Sequence, residues 1–434
     1  MRMVDLIEQK RDGGELSTAQ INTFINGFSD DSIPDYQASA LLMAIYLRGM
    51  NRRETVDLTL AMTHSGDQLD LHDTAPFVVD KHSSGGVGDK TTLVVGPIVA
   101  ACGVPVGKMS GRGLGSSGGT LDKMESIAGW RFDLSLAQFK QQLREVGFVL
   151  AGQTAVLAPA DKKIYALRDV TGTVASMPLI AGSIMSKKLA AGADAIVLDV
   201  KTGNGSFMPN VEDARQLAQM MVDIGNDAGR QTVALLSDMN QPLGNAIGNS
   251  LEVKEAIETL QGGGPTDFWE HCQEVAAHML LLAKKAASLV EAKELAATAR
   301  QNGKGFDLFR AMVQAQGGDV AQIDQPNQLP QTRFVETLYA PQAGYLAEIA
   351  TNDIGWACVR LGGGRLVKTD QIDYAVGLEL PLKVGDKVAA GDKIGCIHAN
   401  DQEKLAQAKT SILAAFSWSA HAMEPLPRFY GIIT

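Results

Sequence analysis

The segment Asp80-Lys81-His82-Ser83-Ser84-Gly85-Gly86-Val87-Gly88-Asp89-Lys90-Thr91-Thr92 constrains this chain more than any other. It sets a Gly-rich turn between an apolar run, Pro76 to Val79, and a helix-like run, Leu93 to Ala101. Glycines let several backbone N–H groups converge on one point, and the following helix N-terminus adds partial positive charge there. Lys81, Ser83 and Thr92 supply further donors, so the turn reads as a cradle for an oxyanion. A second loop, Lys108-Met109-Ser110-Gly111-Arg112-Gly113-Leu114-Gly115-Ser116-Ser117-Gly118-Gly119-Thr120, repeats the pattern after the apolar run Val104 to Val106. Neither is a Walker A sequence, which argues against a nucleoside triphosphate. Any α/β protein needs glycines at strand-to-helix turns. Two such loops with lysine and hydroxyl donors go further, toward a small free anion gripped from several sides, inorganic phosphate.

At 434 residues the chain is too long for one ordinary core and suggests roughly two to four domains. Residues 4 to 65 read as consecutive short helices, with capping boxes at Ser17/Gln20 and Asn51/Glu54. Their apolar faces (Leu6, Ile7, Phe24, Ile25, Leu41, Leu42, Ile45) exceed what so small a unit buries alone, so it should pack on another element or subunit. From Pro76 the texture changes. Phe77–Val79, Val104–Val106, Phe148–Leu150, Ala195–Val200 and Thr232–Leu236 are strand candidates separated by helical patterns, which indicates parallel strands covered by helices. Helical periodicity resumes from Glu252 to Gln316, and Gln322 to Gln331 reads as a linker. Beyond it, glycine-punctuated runs suggest a compact β domain of biotinyl or lipoyl-carrier type, though without a Met-Lys-Met hairpin to receive a prosthetic group.

The expected fold class is therefore α/β: a small helical domain over residues 1–66, joined in space by helices from about 160–192, a catalytic domain over 67–330 with a mainly parallel sheet, and a C-terminal β-rich, barrel-sandwich-like domain over 331–434. A net charge of −10 argues against a general nucleic-acid surface. The four cysteines lack CxxC spacing and read as core thiols. No stretch is apolar enough to span a bilayer, and the expected location is cytoplasmic.

On the helix-like run Ser176 to Ala191, Ser183 and Lys187 lie four residues apart and share a face. Arg168 ends the helix before it. Together they can present a hydroxyl, an ammonium and a guanidinium to the edge of a flat, carbonyl-bearing heterocycle and favour its departure as an anion. The alternative is that Lys187 and Lys188 form a solvated surface pair and Arg168 an ion pair with Asp169 or Asp161. His82 is open in the same way, between a structural loop histidine and a proton donor or orienting group.

The segments DKHSSGGVGDKTT, KMSGRGLGSSGGTLDK, GQTAVLAPADKKIYALRDVTGTV and SIMSKKLAAGADAIVLDVKTGNGSFM resemble the thymidine and pyrimidine-nucleoside phosphorylases. The resemblance implies attack of phosphate on the anomeric carbon of a pyrimidine nucleoside, with inversion, releasing free base and an α-pentose 1-phosphate. It requires no organic cofactor and no covalent enzyme nucleophile. It implies Lys81, Ser83, Thr92, Lys108, Ser110 and Thr120 as phosphate ligands, and His82, Tyr165, Arg168, Ser183 and Lys187 at the base, with Leu114 and Ile180 as apolar walls. His82, Arg168 and Lys187 are then the catalytic residues. It also implies a homodimer formed through the helical domain, and domain rotation that closes the cleft. Some relatives bind potassium through oxygens at positions matching Gly88, residue 90, Leu243, Ala246 and Glu255.

Three positions depart from the family pattern, and a fourth bears on specificity within it. Ser116 stands where a histidine normally helps lock the closed state by contacting the turn matching Asn204-Gly205, and Ser84 replaces the usual threonine. Lys90 brings an ammonium to the potassium position. Lys108 stands where deoxy-specific thymidine phosphorylases tend to carry methionine and can donate to a ribose 2′-hydroxyl, favouring use of uridine, thymidine and deoxyuridine over strict thymidine use. A rival reading is a phosphoribosyltransferase of the anthranilate type, which uses a similar loop but needs magnesium-bound pyrophosphate and an acidic pair. The adjacent carboxylates here, Asp30-Asp31 and Glu212-Asp213, read instead as turn and helix-start residues.

Overall fold

The computed structural model describes residues 2–113, 115–153, 156–367 and 369–434. The chain opens with α1 (Met3–Arg11), α2 (Thr18–Ser29), α3 (Asp35–Arg48) and α4 (Arg52–Thr63). Both expected capping boxes form: Ser17 N–H donates to Gln20 Oε1 at 2.7 Å, and Glu54 N–H donates to Asn51 Oδ1 at 2.8 Å. Glu54 is buried and its carboxylate also accepts from Lys10 Nζ at 2.9 Å and Leu16 N at 2.8 Å, so one cap residue ties α1 and the following loop to α4.

The sheet framework follows: β1 (Val79–Ser83), α5 (Thr91–Ala101), β2 (Val106–Ser110), α6 (Thr120–Met124), α7 (Leu136–Val146), β3 (Phe148–Gly152), α8 (Pro159–Thr171), α9 (Met177–Ala190), β4 (Ala195–Thr202), α10 (Val211–Asp227) and β5 (Gln231–Asp238). The strands stand in the order β5-β4-β1-β2-β3 and all run parallel. Sequence order reverses at β1, whose neighbours are β4 and β2. A crevice opens outside the carboxyl ends of the strands at such a switch point, which is where both Gly-rich loops emerge. Meanwhile α8 and α9 lend Ala160, Ile164 and Leu179 to a core shared with Phe24, Phe28, Leu41 and Ile45, so the helical unit gains the partner its apolar surplus requires.

Two differences from the sequence expectation matter. Strands β1 and β2 begin later and run farther than the apolar runs, so Lys81, His82, Ser83, Lys108 and Ser110 sit on strands rather than in loops. Hydrophobic patterning ends a strand at its first charge; here the charges are buried and their backbone stays paired, as in Lys81↔Val197 and Lys108↔Leu150. The second difference lies at the C-terminus. After β6 (Ala246–Ile247), α11 (Asn249–Leu260), α12 (Thr266–Leu282), α13 (Leu289–Gln301), α14 (Lys304–Ala315) and the short α15 (Ala321–Asp324) come β7 (Phe334–Tyr339), β8 (Gly344–Ile349), α16 (Thr351–Cys358), β9 (Gly377–Glu379), β10 (Lys387–Val388), β11 (Lys393–Ala399), α17 (Gln402–Ala414), β12 (Phe416–Ser419) and β13 (Phe429–Ile433). The C-terminal strands form sheets ordered β10-β8-β12 and β6-β9-β11-β7, but β13 returns to pair antiparallel with β5. Residues 429–433 thus complete the central sheet rather than the C-terminal domain. Among the described residues no helix is long and apolar enough to cross a membrane.

Candidate functional site

A cleft of about 600 Å³ lies at the carboxyl ends of β1 and β2. One wall is built by the two Gly-rich loops and the strand ends before them. The facing wall is built by α8 and α9, with Phe207 at the rim.

On the first wall, His82, Ser83, Thr92, Lys108, Ser110 and Thr120 all line the cleft. Ser83 Oγ donates to the Asp89 carboxylate and accepts from Gly85 N at 3.2 Å, which folds the loop back on itself. Asp89 in turn accepts from Thr91 N at 3.1 Å and holds the start of α5. Gly88 has φ +75, and a Cβ there would stand 2.8 Å from Leu243 O, so no other residue fits. Lys81, expected as a direct ligand, does not line the cleft. It is 2% exposed and lies behind Ser83, its Nζ 3.6 Å from Asp199 and 3.9 Å from Asp89 with no hydrogen-bond acceptor. Position 81 falls inside the paired strand, two residues before Ser83 and on the same face, so its side chain lies in the core beneath the strand end that reaches the cleft. Beneath it, burial alone would raise the Asp199 carboxyl, but Lys201, His271 and Lys81 hold it well below the usual range. Asp199 accepts from Lys201 Nζ at 2.8 Å and contacts His271 Nε2 at 2.9 Å.

Lys108 is 4% exposed and 3.8 Å from Asp80. Burial holds its ammonium well below the ordinary lysine range, Lys188 and Lys81 pushing the same way against Asp80. Lys188, which surface-pair reasoning placed in solvent, is buried and donates to Asp80 Oδ2 at 2.8 Å and to Met109 O at 3.1 Å. His82 is also shifted: burial, then Lys188, Lys108, Lys81 and Lys187, push its pKa well below 6.5. At neutral pH it is an uncharged imidazole with one N–H to offer, not a cation.

On the facing wall, Tyr165, Ser183 and Lys187 line the cleft as expected, and Ile184 lines it where Ile180 was expected. Ile180, one turn earlier on α9, packs into the core shared by α9, α10 and the sheet. Lys187 Nζ donates to Ser183 Oγ at 3.0 Å and to Asp161 Oδ2 at 2.6 Å. Asp161 is 3% exposed, and its second oxygen has no hydrogen-bond partner. Sequence reasoning considered Asp161 only as a partner for Arg168; its spacing before Tyr165 on α8, one turn away, was the available signal.

Arg168 is the main correction. It is 1% exposed and does not line the cleft. Its guanidinium donates to Leu179 O at 2.9 Å, Val174 O at 2.6 Å and Thr173 O at 3.3 Å. These carbonyls belong to the turn between α8 and α9 and the first turn of α9, and the guanidinium fork donates to three of them at once. Leu114, expected as an apolar wall, lies outside the described residues.

The oxygens expected to hold potassium do not fit a free ion, because Lys90 Nζ sits among them, 2.9 Å from Leu243 O, 2.9 Å from Ala246 O and 2.6 Å from Glu255 Oε1. Ser116, at the position of the family's closing histidine, donates from Oγ to Asn352 Oδ1 at 2.7 Å. Asn204 reaches the same segment from the other side, donating to Ile349 O at 2.9 Å and accepting from Thr351 N at 2.7 Å. The second Gly-rich loop and the Asn204 turn therefore meet through the start of α16.

The helical bundle domain of the glycosyl transferase family matches residues 4–66, the a/b domain of that family residues 75–306, and the pyrimidine nucleoside phosphorylase C-terminal domain residues 345–419. Fold and cleft are together those of a glycosyl transferase. Over 403 residues the chain is 54% identical to pyrimidine-nucleoside phosphorylase of Geobacillus stearothermophilus and 55% identical to that of Staphylococcus aureus (strain N315), each alignment spanning 93% of this chain and 93% of the relative. The chain belongs to the pyrimidine-nucleoside phosphorylase family and is an enzyme of that class. A solved structure of anthranilate phosphoribosyltransferase from Thermus thermophilus matches with a TM-score of 0.59 at 19% identity, covering 72% of this chain and 99% of that one, a likeness in fold alone.

Proposed function

We propose that the chain phosphorolyses uridine, thymidine and deoxyuridine, releasing the free base and an α-D-ribose or deoxyribose 1-phosphate for pyrimidine salvage in the cytoplasm. The observation that carries this reading is one cleft with two unlike walls: hydroxyls, loop backbone and Lys108 on one, and Lys187 with Ser183 on the other. Phosphate bound by Ser83, Thr92, Lys108, Ser110 and Thr120 attacks C1′ from the face opposite the base as the glycosidic bond breaks. The bonding pair stays with the pyrimidine, whose growing negative charge is met by Lys187 and by the N–H of a neutral His82. The phosphate dianion complements the oxocarbenium-like sugar between them, so alignment and electrostatics supply the catalysis. Lys81 acts on the phosphate through Ser83 and Asp89, and Arg168 acts on the base by holding the turn that sets α9. Because α8 and α9 pack with the helical unit and the Gly-rich loops with the sheet, a rotation between them closes the cleft. The exposed apolar residues Tyr36, Met43 and Leu47 on α3 favour a homodimer through the helical domain.

The decisive assay incubates each nucleoside with and without inorganic phosphate, and each free base with ribose 1-phosphate or phosphoribosyl pyrophosphate. Phosphate-dependent base release, reversed by the 1-phosphate alone, is expected. Turnover only with the pyrophosphate donor would establish the phosphoribosyltransferase reading. Lys108→Met is expected to lower the uridine to thymidine activity ratio, and an unchanged ratio removes Lys108 from 2′-hydroxyl recognition.

A further inference from the structure

We infer that the ε-ammonium of Lys90 is a covalently tethered occupant of a monovalent-cation site, so that this enzyme neither binds nor needs potassium. The site has the donor set of such an ion: two backbone carbonyls, Leu243 O and Ala246 O, and one carboxylate, Glu255, with the Phe268 ring face 5.0 Å away closing the shell. An ammonium has three N–H donors, and these three oxygens use all of them. The Lys90 side chain is fully buried at 0% exposure. A second cation among the same oxygens would lie within contact distance of the first in a low-dielectric interior, where like-charge repulsion greatly exceeds its value in water.

The position of the site gives the tether its purpose. Lys90 is the residue immediately before α5, the helix that the first Gly-rich loop feeds. Its carbonyl partners lie on the segment 243–246, which the C-terminal domain grips from the other side: Lys383 Nζ donates to Pro242 O at 2.8 Å and Gly244 O at 2.6 Å, and Leu380 N donates to Asn245 O at 2.8 Å. Glu255 accepts in addition from Ala246 N at 2.8 Å and Asn245 N at 3.0 Å. One ammonium therefore pins the phosphate loop to a segment shared by two domains. A tethered cation also has no mass-action dependence, so the tie holds at any salt composition.

The test is thermal melting and phosphorolysis of the full-length enzyme titrated with potassium chloride against tetramethylammonium chloride at constant ionic strength. The wild type is expected to show no saturable change in either readout. Lys90→Thr removes the charge and leaves a hydroxyl oxygen facing the shell. Its Tm is expected to fall by about 5 °C or more in tetramethylammonium, as for a buried ion pair that loses one partner, and to recover saturably with potassium or rubidium. A saturable potassium response of the wild type overturns the inference, as does a Lys90→Thr protein whose lost stability no alkali cation restores, or one that loses none. Should Lys90→Thr fail to fold, wild-type crystals soaked in rubidium decide: no anomalous peak between Leu243, Ala246 and Glu255 supports the tether, and a peak there refutes it.

Discussion

Lys187 keeps its ammonium poised between Ser183 and a buried carboxylate, Asp161. Its side chain is 25% exposed, and removing it leaves the buried Asp161 carboxylate without that partner at the cleft wall. Lys187→Ala is expected to cost about 2.7–4 kcal/mol of transition-state stabilisation, roughly 10²–10³-fold in kcat/KM, with a smaller fall in Tm from the Asp161 carboxylate that loses its partner. Arg168→Ala should behave differently. It removes the buried guanidinium that ties together three carbonyls of the α8–α9 turn, at about 1–3 kcal/mol for a buried acceptor left unsatisfied, so Tm and kcat/KM should fall together. A loss of activity at an undisturbed Tm in Arg168→Ala would return that residue to direct contact with the base. His82 supplies a pH prediction. Its folded pKa lies well below the ordinary 6.5, so above that value both folded and unfolded chains carry it neutral and it contributes no pH dependence. As pH falls below 6.5, the unfolded chain takes up a proton that the folded one refuses, and stability drops. Melting between pH 7.5 and 5.5, values chosen to bracket about 6.5, should show a decline that is shallower in His82→Asn.

Helix α16 is the element that joins the two Gly-rich loops. A Cβ on Gly355 would stand 2.5 Å from Ser116 O in the second loop and 2.9 Å from Val87 Cγ2 in the first, so the glycine is a contact surface for both. Gly355→Ala is expected to introduce about 1–3 kcal/mol of misfit, read as a phosphate KM raised at least about fivefold with helix content retained. Ser116→His tests the same junction from the loop side. The junction already has two other fastenings, Asn204 with Thr351 and Arg365 with Asp122 at 3.1 Å, so turnover should persist in that variant. Its abolition would mean that Ser116 itself closes the cleft. The same element scale separates what patterning could and could not reveal. Capping boxes and apolar runs announced the helices and the five parallel strands. The ends of β1 and β2 were hidden, because buried lysines break the apolar pattern that marks a strand.

At the scale of the whole molecule, three segments far apart in sequence pack against one another: the helical bundle through α8 and α9, the central sheet, and the C-terminal domain through β6, Lys383 and β13. Tyr36, Met43 and Leu47 recur at helical spacing on α3 and are exposed at 74%, 36% and 71%. A homodimer would bury them, and Leu47→Arg is expected to shift the protein to monomer by light scattering while the monomer's melting temperature falls. Unchanged mass in Leu47→Arg and in a Tyr36→Lys, Leu47→Arg double variant would move the interface elsewhere.

Residue chemistry and spacing determined, by themselves, that the chain alternates strands with helices and carries two Gly-rich turns after strands. They also determined that Ser183 and Lys187 share one helix face, because each of these depends on neighbours within a few positions. Only the tertiary structure decided which side chains reach the cleft. Arg168 turns to carbonyls of its own connecting turn, Lys81 sinks behind Ser83, Asp161 rises as the partner of Lys187, and Ile184 takes the wall expected of Ile180. It also decided that Lys90 ends among oxygens about 150 residues downstream, since no local pattern encodes where a long side chain finds its acceptors once the chain has packed.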